Sequence, residues 1–194
     1  MSSKIFASGI CRVILLGVSI LMVGCSGGSL SRSEASSLIE ADKNFSKQME
    51  MSIRIETPIN KGDLSKSSFD EALVSEGYVT VQNNPYVDIL HLTDKGQKEA
   101  VNWKKSKQLG IIEMYNIPYA KREIVEVIGI SEPKSGENFS QAKFSWRPQP
   151  GNDIGRAMDK SEFEKTFDGE AFFQKFDDGW RVVRISGRGL PDSY

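Results

Sequence analysis

The spacing of hydrophobic and polar positions changes several times along the chain, and each change marks an element. Residues 13–23 form an apolar run of 11 residues. As a helix it would rise only about 16 Å, roughly half of a hydrocarbon core of about 30 Å. That predicts a signal-peptide core rather than a membrane span. Ser31 and Glu34 fit a capping box, and Ala35, Leu38, Ile39, Asp42, Phe45 and Met49 follow at helical spacing, predicting a first helix over 32–50. Ile53 and Ile55 alternate with polar neighbours as a short strand, and Asn60-Lys61-Gly62-Asp63 is turn chemistry. Phe69, Ala72 and Leu73 mark a short helix closed by Gly77. Tyr78–Val81 and Val87–Leu92 then read as a hairpin, and Thr93 caps a helix that runs to about Lys107.

From Ile111 the period becomes that of antiparallel sheet. Tyr119–Ile130 predicts a long strand, followed by a loop over Glu132–Asn138. Ala142, Phe144 and Trp146 alternate with Lys143, Ser145 and Arg147 in a second strand that Pro148 and Pro150 should end. After a polar loop, Gly151–Ser161, two aromatic-rich strands flank Asp177-Asp178-Gly179, a strong hairpin signal. The expected fold is α+β: N-terminal helices with a small hairpin over 31–110, then a three- to four-stranded antiparallel sheet over 111–194.

Composition narrows the function classes. The 194 residues include 25 Lys plus Arg, 26 Asp plus Glu, one His and two Cys, with 39% hydrophobic side chains and a net charge of −1. That suits a folded domain and gives no electrostatic case for nucleic acid, whose phosphates call for a basic excess. Removing residues 1–24 takes away Lys4, Arg12 and Cys11. It leaves 170 residues, 23 basic and 26 acidic, hence −3, with Cys25 as the one remaining thiol. No intramolecular disulfide can then form.

Met22-Val23-Gly24-Cys25 resembles the lipobox of bacterial lipoprotein precursors. The resemblance implies a leader over 1–24, acylation of Cys25 and a tether over 25–30. Met22 stands where that family usually has Leu. The competing reading is a leader cut elsewhere, or an uncleaved anchor, with Cys25 buried or unpaired. Two or three acyl chains, at about 0.8 kcal/mol per buried methylene, would hold the protein almost permanently on the membrane. Ser26 in place of Asp resembles the outer-membrane default. Glu71–Ala100, with Glu76-Gly77-Tyr78-Val79 and Leu92-Thr93-Asp94-Lys95-Gly96, resembles a winged-helix segment. Its would-be reading helix, Ser67–Glu76, holds Asp70, Glu71 and Glu76 without Lys or Arg, so DNA binding does not carry over. The whole chain is similar to envelope lipoproteins of uncharacterised role that end in an aromatic hairpin like Asp178-Gly179-Trp180-Arg181-Val182.

Candidate chemistry is sparse. The lone imidazole, His91, ends an apolar strand and reads as a hairpin residue rather than a general base. With one imidazole and no free thiolate, neither a structural metal nor a cofactor is expected. Glu123 and Glu126 have an odd separation, which in a regular strand points them to opposite faces. Asp177 and Asp178 belong to the hairpin, and Asp153, Asp159, Glu162 and Glu164 read as solvated loop. Gly187-Arg188-Gly189 lacks the third glycine of a phosphate loop. Lys104-Lys105-Ser106-Lys107 reads as complementing the carboxyl end of its helix, or as contacting anionic lipid. Trp103, Trp146 and Trp180 are expected in the core rather than in a ligand groove.

The expected function is that of a lipid-anchored envelope protein in the outer membrane. It would be a non-catalytic binding or structural module with an envelope protein partner. The alternative is an envelope hydrolase or small-molecule-binding protein with a site hidden in sequence order.

Overall fold

A computed structural model describes residues 29–61, 67–110, 112–131 and 137–191. The expected signal peptide, Cys25 and most of the expected tether lie outside the described residues, as do Gly62-Asp63 and part of the expected Glu132–Asn138 loop. The order of elements is α1 (Arg32–Ala41), β1 (Met49–Ile53), β2 (Ile59–Asn60), α2 (Ser68–Ser75), β3 (Val79–Asn83), β4 (Val87–Leu92), α3 (Asp94–Ala100), β5 (Lys104–Gln108), β6 (Ile112–Ser131), β7 (Phe139–Pro150), α4 (Asp153–Ala157), α5 (Ser161–Glu164), β8 (Phe167–Phe176) and β9 (Gly179–Gly187).

The expected fold class is corrected. The protein is mostly β, and its main sheet is a curled six-stranded half-barrel rather than a small C-terminal sheet. The strand order is β1-β6-β7-β8-β9, with β5 also on β6; a second sheet, β2-β4-β3, has three strands. β1 and β5 precede residue 110 yet pair with β6, which follows it. Two predicted helices are shorter than expected. The first stops at Ala41 because the Asp42 carboxylate accepts the Asn44 and Phe45 N–H groups, turning the chain toward β1. The third stops at Ala100, and Lys104–Gln108 forms β5 instead, so the lysine run complements no helix terminus. The second proline-rich strand is longer than expected. Pro148 and Pro150 pair with Arg122 and Ala120, while β8 pairs only as far as Trp146, so their missing N–H groups deprive no neighbour on that side.

The 20-residue β6 is the spine of the molecule. Its first half contributes Tyr115 and Ile117 to a core with Phe69, Leu73, Val79, Leu90 and Trp103. Its second half contributes Val127 to another core with Phe144, Trp146, Phe173, Trp180 and Ile185, against which α1 packs Ala35 and Ile39. All three tryptophans are therefore core residues. Leu30, the last residue of the expected tether, is also in that second core and only 5% exposed.

Two bulges give the sheet its curl. Pairing slips between Ile124 and Glu126 and again between Val127 and Gly129. Ile124, Val127 and Ile130 consequently all turn to the core at a spacing of three, whereas a regular strand alternates every two. The same slip overturns the expectation that Glu123 and Glu126 oppose each other. Glu123 sits beside Arg147 and Glu126 beside Ser145, two residues of β7 that share a face.

The segment from α2 to α3 keeps the expected helix, hairpin, helix order, and its local signals act as the sequence implied. Gly77, at φ +70, closes α2. The Thr93 hydroxyl accepts the Gly96 N–H at 3.0 Å and donates to the Gly77 carbonyl at 2.6 Å. A Cβ on Gly96 would fall 2.0 Å from the Tyr78 carbonyl oxygen, so the Leu92-Thr93-Asp94-Lys95-Gly96 pattern serves the close packing of α3 on this hairpin.

Candidate functional site

A cleft forms among the described residues where β6 passes from one core to the other. Ser67 caps α2, accepting the Asp70 N–H at 3.2 Å and donating to the Asp70 carboxylate at 2.9 Å. Asn152 caps α4 by accepting the Gly155 N–H at 3.0 Å, and its amide donates to the Pro118 carbonyl of β6 at 2.7 Å. Gly155 itself meets β6 so closely that a Cβ would stand 2.1 Å from the Tyr119 carbonyl oxygen. These contacts seat α4 beside α2 and bring the segment after α4 over Tyr119. The space left between them is about 630 Å³, within the usual range for small-molecule sites.

The cleft has an apolar side and an acidic side. Met51, Phe69, Tyr119 and Met158 supply the first, with the Phe69 and Tyr119 rings edge to face at 5.9 Å between centroids. Glu71, Asp159 and Glu162 supply the second, and among the described residues no Lys, Arg or His lines it. Asp159 accepts the Ser161 N–H at 2.9 Å, and that bond holds its carboxyl below the ordinary aspartate range. Lys165 reaches Glu162 at 3.4 Å. Burial pushes the Tyr119 phenol up, so the hydroxyl stays protonated at neutral pH.

The chain matches no protein-family model, no curated protein and no solved structure. The site is therefore read from its own geometry.

The residues singled out in the sequence are not brought together. His91 lies on β4, where Nδ1 meets the Glu56 carboxylate at 2.7 Å and Nε2 meets the Gln82 side-chain oxygen at 2.8 Å. Both ring nitrogens are engaged, and His91 does not line the cleft. Glu123 binds Arg147 at 2.9 Å and also accepts from Gln149; the Arg147 bond, then the Gln149 bond, holds its carboxyl below the ordinary range. Asp153 pairs with Arg156, and Asp178 with Arg181 at 2.6 Å across the expected hairpin. Lys104 and Lys105 pair with Glu50 at 2.7 Å and Glu113 at 2.8 Å, which neutralises most of the basic run. Gly187 ends β9 and Gly189 lies in the turn after it, both with positive φ, and Gly189 lies against the Trp146 ring. Among the described residues no group of His, Cys, Asp or Glu is placed to hold a metal ion, and no helix is long and apolar enough to cross a membrane.

Asp159 and Glu162 are exposed, as expected of a solvated segment, and Glu71 is exposed too; what sequence reasoning missed is that they meet Phe69 and Tyr119 at one cleft. The signal that finds them is Asn152-x-x-Gly155 as a helix cap, with Ile154 and Met158 four apart and both buried.

Proposed function

We propose that the protein is a non-catalytic binding module of the bacterial envelope, held by acyl chains on Cys25 and using the α2–α4 cleft to take a ligand. The cleft carries the binding half of this reading: a space of about 630 Å³, with an aromatic pair on one side and three carboxylates on the other. A purely structural role gives no reason to leave it open. The anchoring half is supported by Met22-Val23-Gly24-Cys25 at the end of an apolar run. It also fits the burial of Leu30, which leaves five residue steps, at most about 18 Å, between Cys25 and the core.

Hydrolysis by the cleft is the weaker reading. A general acid needs a carboxyl raised toward neutrality, and Asp159 is moved the other way. His91 is bonded elsewhere. The test has two arms. Growth with a labelled fatty acid should mark the wild type and not Cys25→Ala; label absent from both removes the anchor. Met158→Trp should fill the cleft and abolish any saturable small-molecule binding without unfolding the protein. Binding left intact in that variant removes the cleft as the site.

A further inference from the structure

The polarity of the cleft points to a class of ligand, and this inference rests on reading the cleft as a binding site. We infer that it takes a small organic cation: an ammonium group facing Glu71 and Glu162, with an apolar body against Phe69, Tyr119 and Met158.

Four observations carry this. First, the charged side chains that line the cleft among the described residues are all carboxylates, and Lys165 reaches Glu162 from outside it at 3.4 Å. The Glu71 N–H is spent on the Ser67 carbonyl at 3.1 Å, but its carboxylate has no hydrogen bond or ion pair among the described residues, so its charge is available to a ligand. Second, an anion is disfavoured even though α2 begins here. The partial positive charge of that helix end already faces Asp70 and Glu71 in its first turn, together with the Ser67 cap. Third, a bare metal ion is disfavoured because among the described residues these carboxylates form no group placed to hold one. A cation with a body can instead reach them while covering Met51, Phe69 and Met158. Fourth, Tyr119 presents a half-buried ring edge to face with Phe69, and its hydroxyl has no hydrogen-bond partner among the described residues. Aromatic faces attract ammonium groups, and a free phenol can accept from an N–H or stay beside a quaternary nitrogen. In such a site the carboxylates supply charge selection and the rings supply most of the contact area.

Saturation-transfer NMR on the full-length chain in a neutral sugar detergent tests this with four probes of similar size: benzylammonium, benzyltrimethylammonium, phenylacetate and benzyl alcohol. Both ammonium probes should bind saturably and compete with each other. Neutralising two carboxylates in Glu71→Gln/Glu162→Gln should weaken them roughly five- to thirty-fold, while benzyl alcohol is unaffected. Near-isosteric amides keep the fold, which circular dichroism checks. Phenylacetate or benzyl alcohol binding as tightly as benzylammonium overturns the cation assignment, and so does ammonium binding that the double variant leaves unchanged. If those neutral or anionic probes are displaced by Met158→Trp, the cleft is still a binding site. If no probe binds at all, both readings fall.

Discussion

Removing the Arg122 guanidinium should cost the protein about 2–3 kcal/mol. This residue sits on β6 and donates from Nη1 to the Lys47 carbonyl at 2.8 Å and the Phe45 carbonyl at 3.4 Å, and from Nη2 to the Gly189 carbonyl at 3.3 Å. It therefore ties the chain after α1 and the turn after β9 to the spine strand. No carboxylate pairs with it among the described residues, and burial lowers its pKa from the ordinary arginine value. The shortest bond is charge-assisted and worth about 1.5–3 kcal/mol in general. The two longer ones are weaker, and water can replace the donor at the exposed Lys47 and Gly189 carbonyls. Desolvation of the half-buried charge opposes all three. Arg122→Met keeps an unbranched aliphatic stem and deletes the fork, together with the guanidinium contact over the Trp146 ring at 5.7 Å. Urea unfolding followed by tryptophan fluorescence should show the loss, with a fall in melting temperature of about 4–12 °C for a chain of this size. Arg122→Lys should recover little, because an ammonium on a flexible stem cannot span three carbonyls. A Met variant within about 0.5 kcal/mol of wild type would refute the clamp, since that is the scale of an ordinary surface change.

Gly155→Ala should destabilise by more than about 2 kcal/mol in the same assay and abolish cleft binding, because its Cβ meets the backbone oxygen of Tyr119 rather than a flexible side chain. Leu109 adopts φ +52 at an 85% exposed turn, so Leu109→Asn should stabilise by about 0.5–1 kcal/mol, read as a higher urea midpoint. Glu123 has a depressed carboxyl pKa, so the stability it adds is present above the ordinary carboxylate range and lost as pH falls through the depressed value. The gap in urea midpoint between wild type and Glu123→Gln should therefore be small but measurable at pH 7, within about 1 kcal/mol for so exposed a pair, shrink once the pH falls below the ordinary glutamate range, and close below the depressed value.

Local signals in the sequence were legible wherever a cap or turn decided the structure. Ser31, Ser67 and Thr93 each cap the helix they were read as starting or could start, Gly77 closes α2, and Asp177-Asp178-Gly179 makes its hairpin. What the sequence hid is tertiary. Met49 fits a helical stripe from Ala35, yet the Asx turn at Asp42 releases it into a strand edge on β6. Trp103 and the lysines after it continue a plausible helix, yet burying that indole beside Tyr78 and Tyr115 requires the chain to turn and pair with β6. Periodicity also fails at the bulges, where spacing by three in β6 imitates neither strand nor helix. The cleft was illegible for a similar reason: Phe69, Tyr119 and Asp159 are distant in sequence and meet only because α2 and α4 pack on the same stretch of the spine.

That shared strand explains why the cleft lies where it does. Two cores with different partners cannot both pack to full density around one continuous strand unless the covering elements change over somewhere along it. Between Ile117, which belongs to the first core, and Ile124, which packs on the second, β6 exchanges its cover of α2 for the α1 layer. Tyr119 falls in that interval, and α4 with its following segment bridges the changeover without filling it, since Gly155 fixes how closely α4 can sit and Asn152 fixes where it starts. The opening is thus set by backbone contacts at both ends of α4, while its wall chemistry is set by side chains that the backbone does not need. Substitutions at Glu71 or Glu162 should therefore alter ligand choice with little change in stability, whereas substitutions at Asn152 or Gly155 should alter both. A stability scan in which the two pairs behave alike would contradict this division.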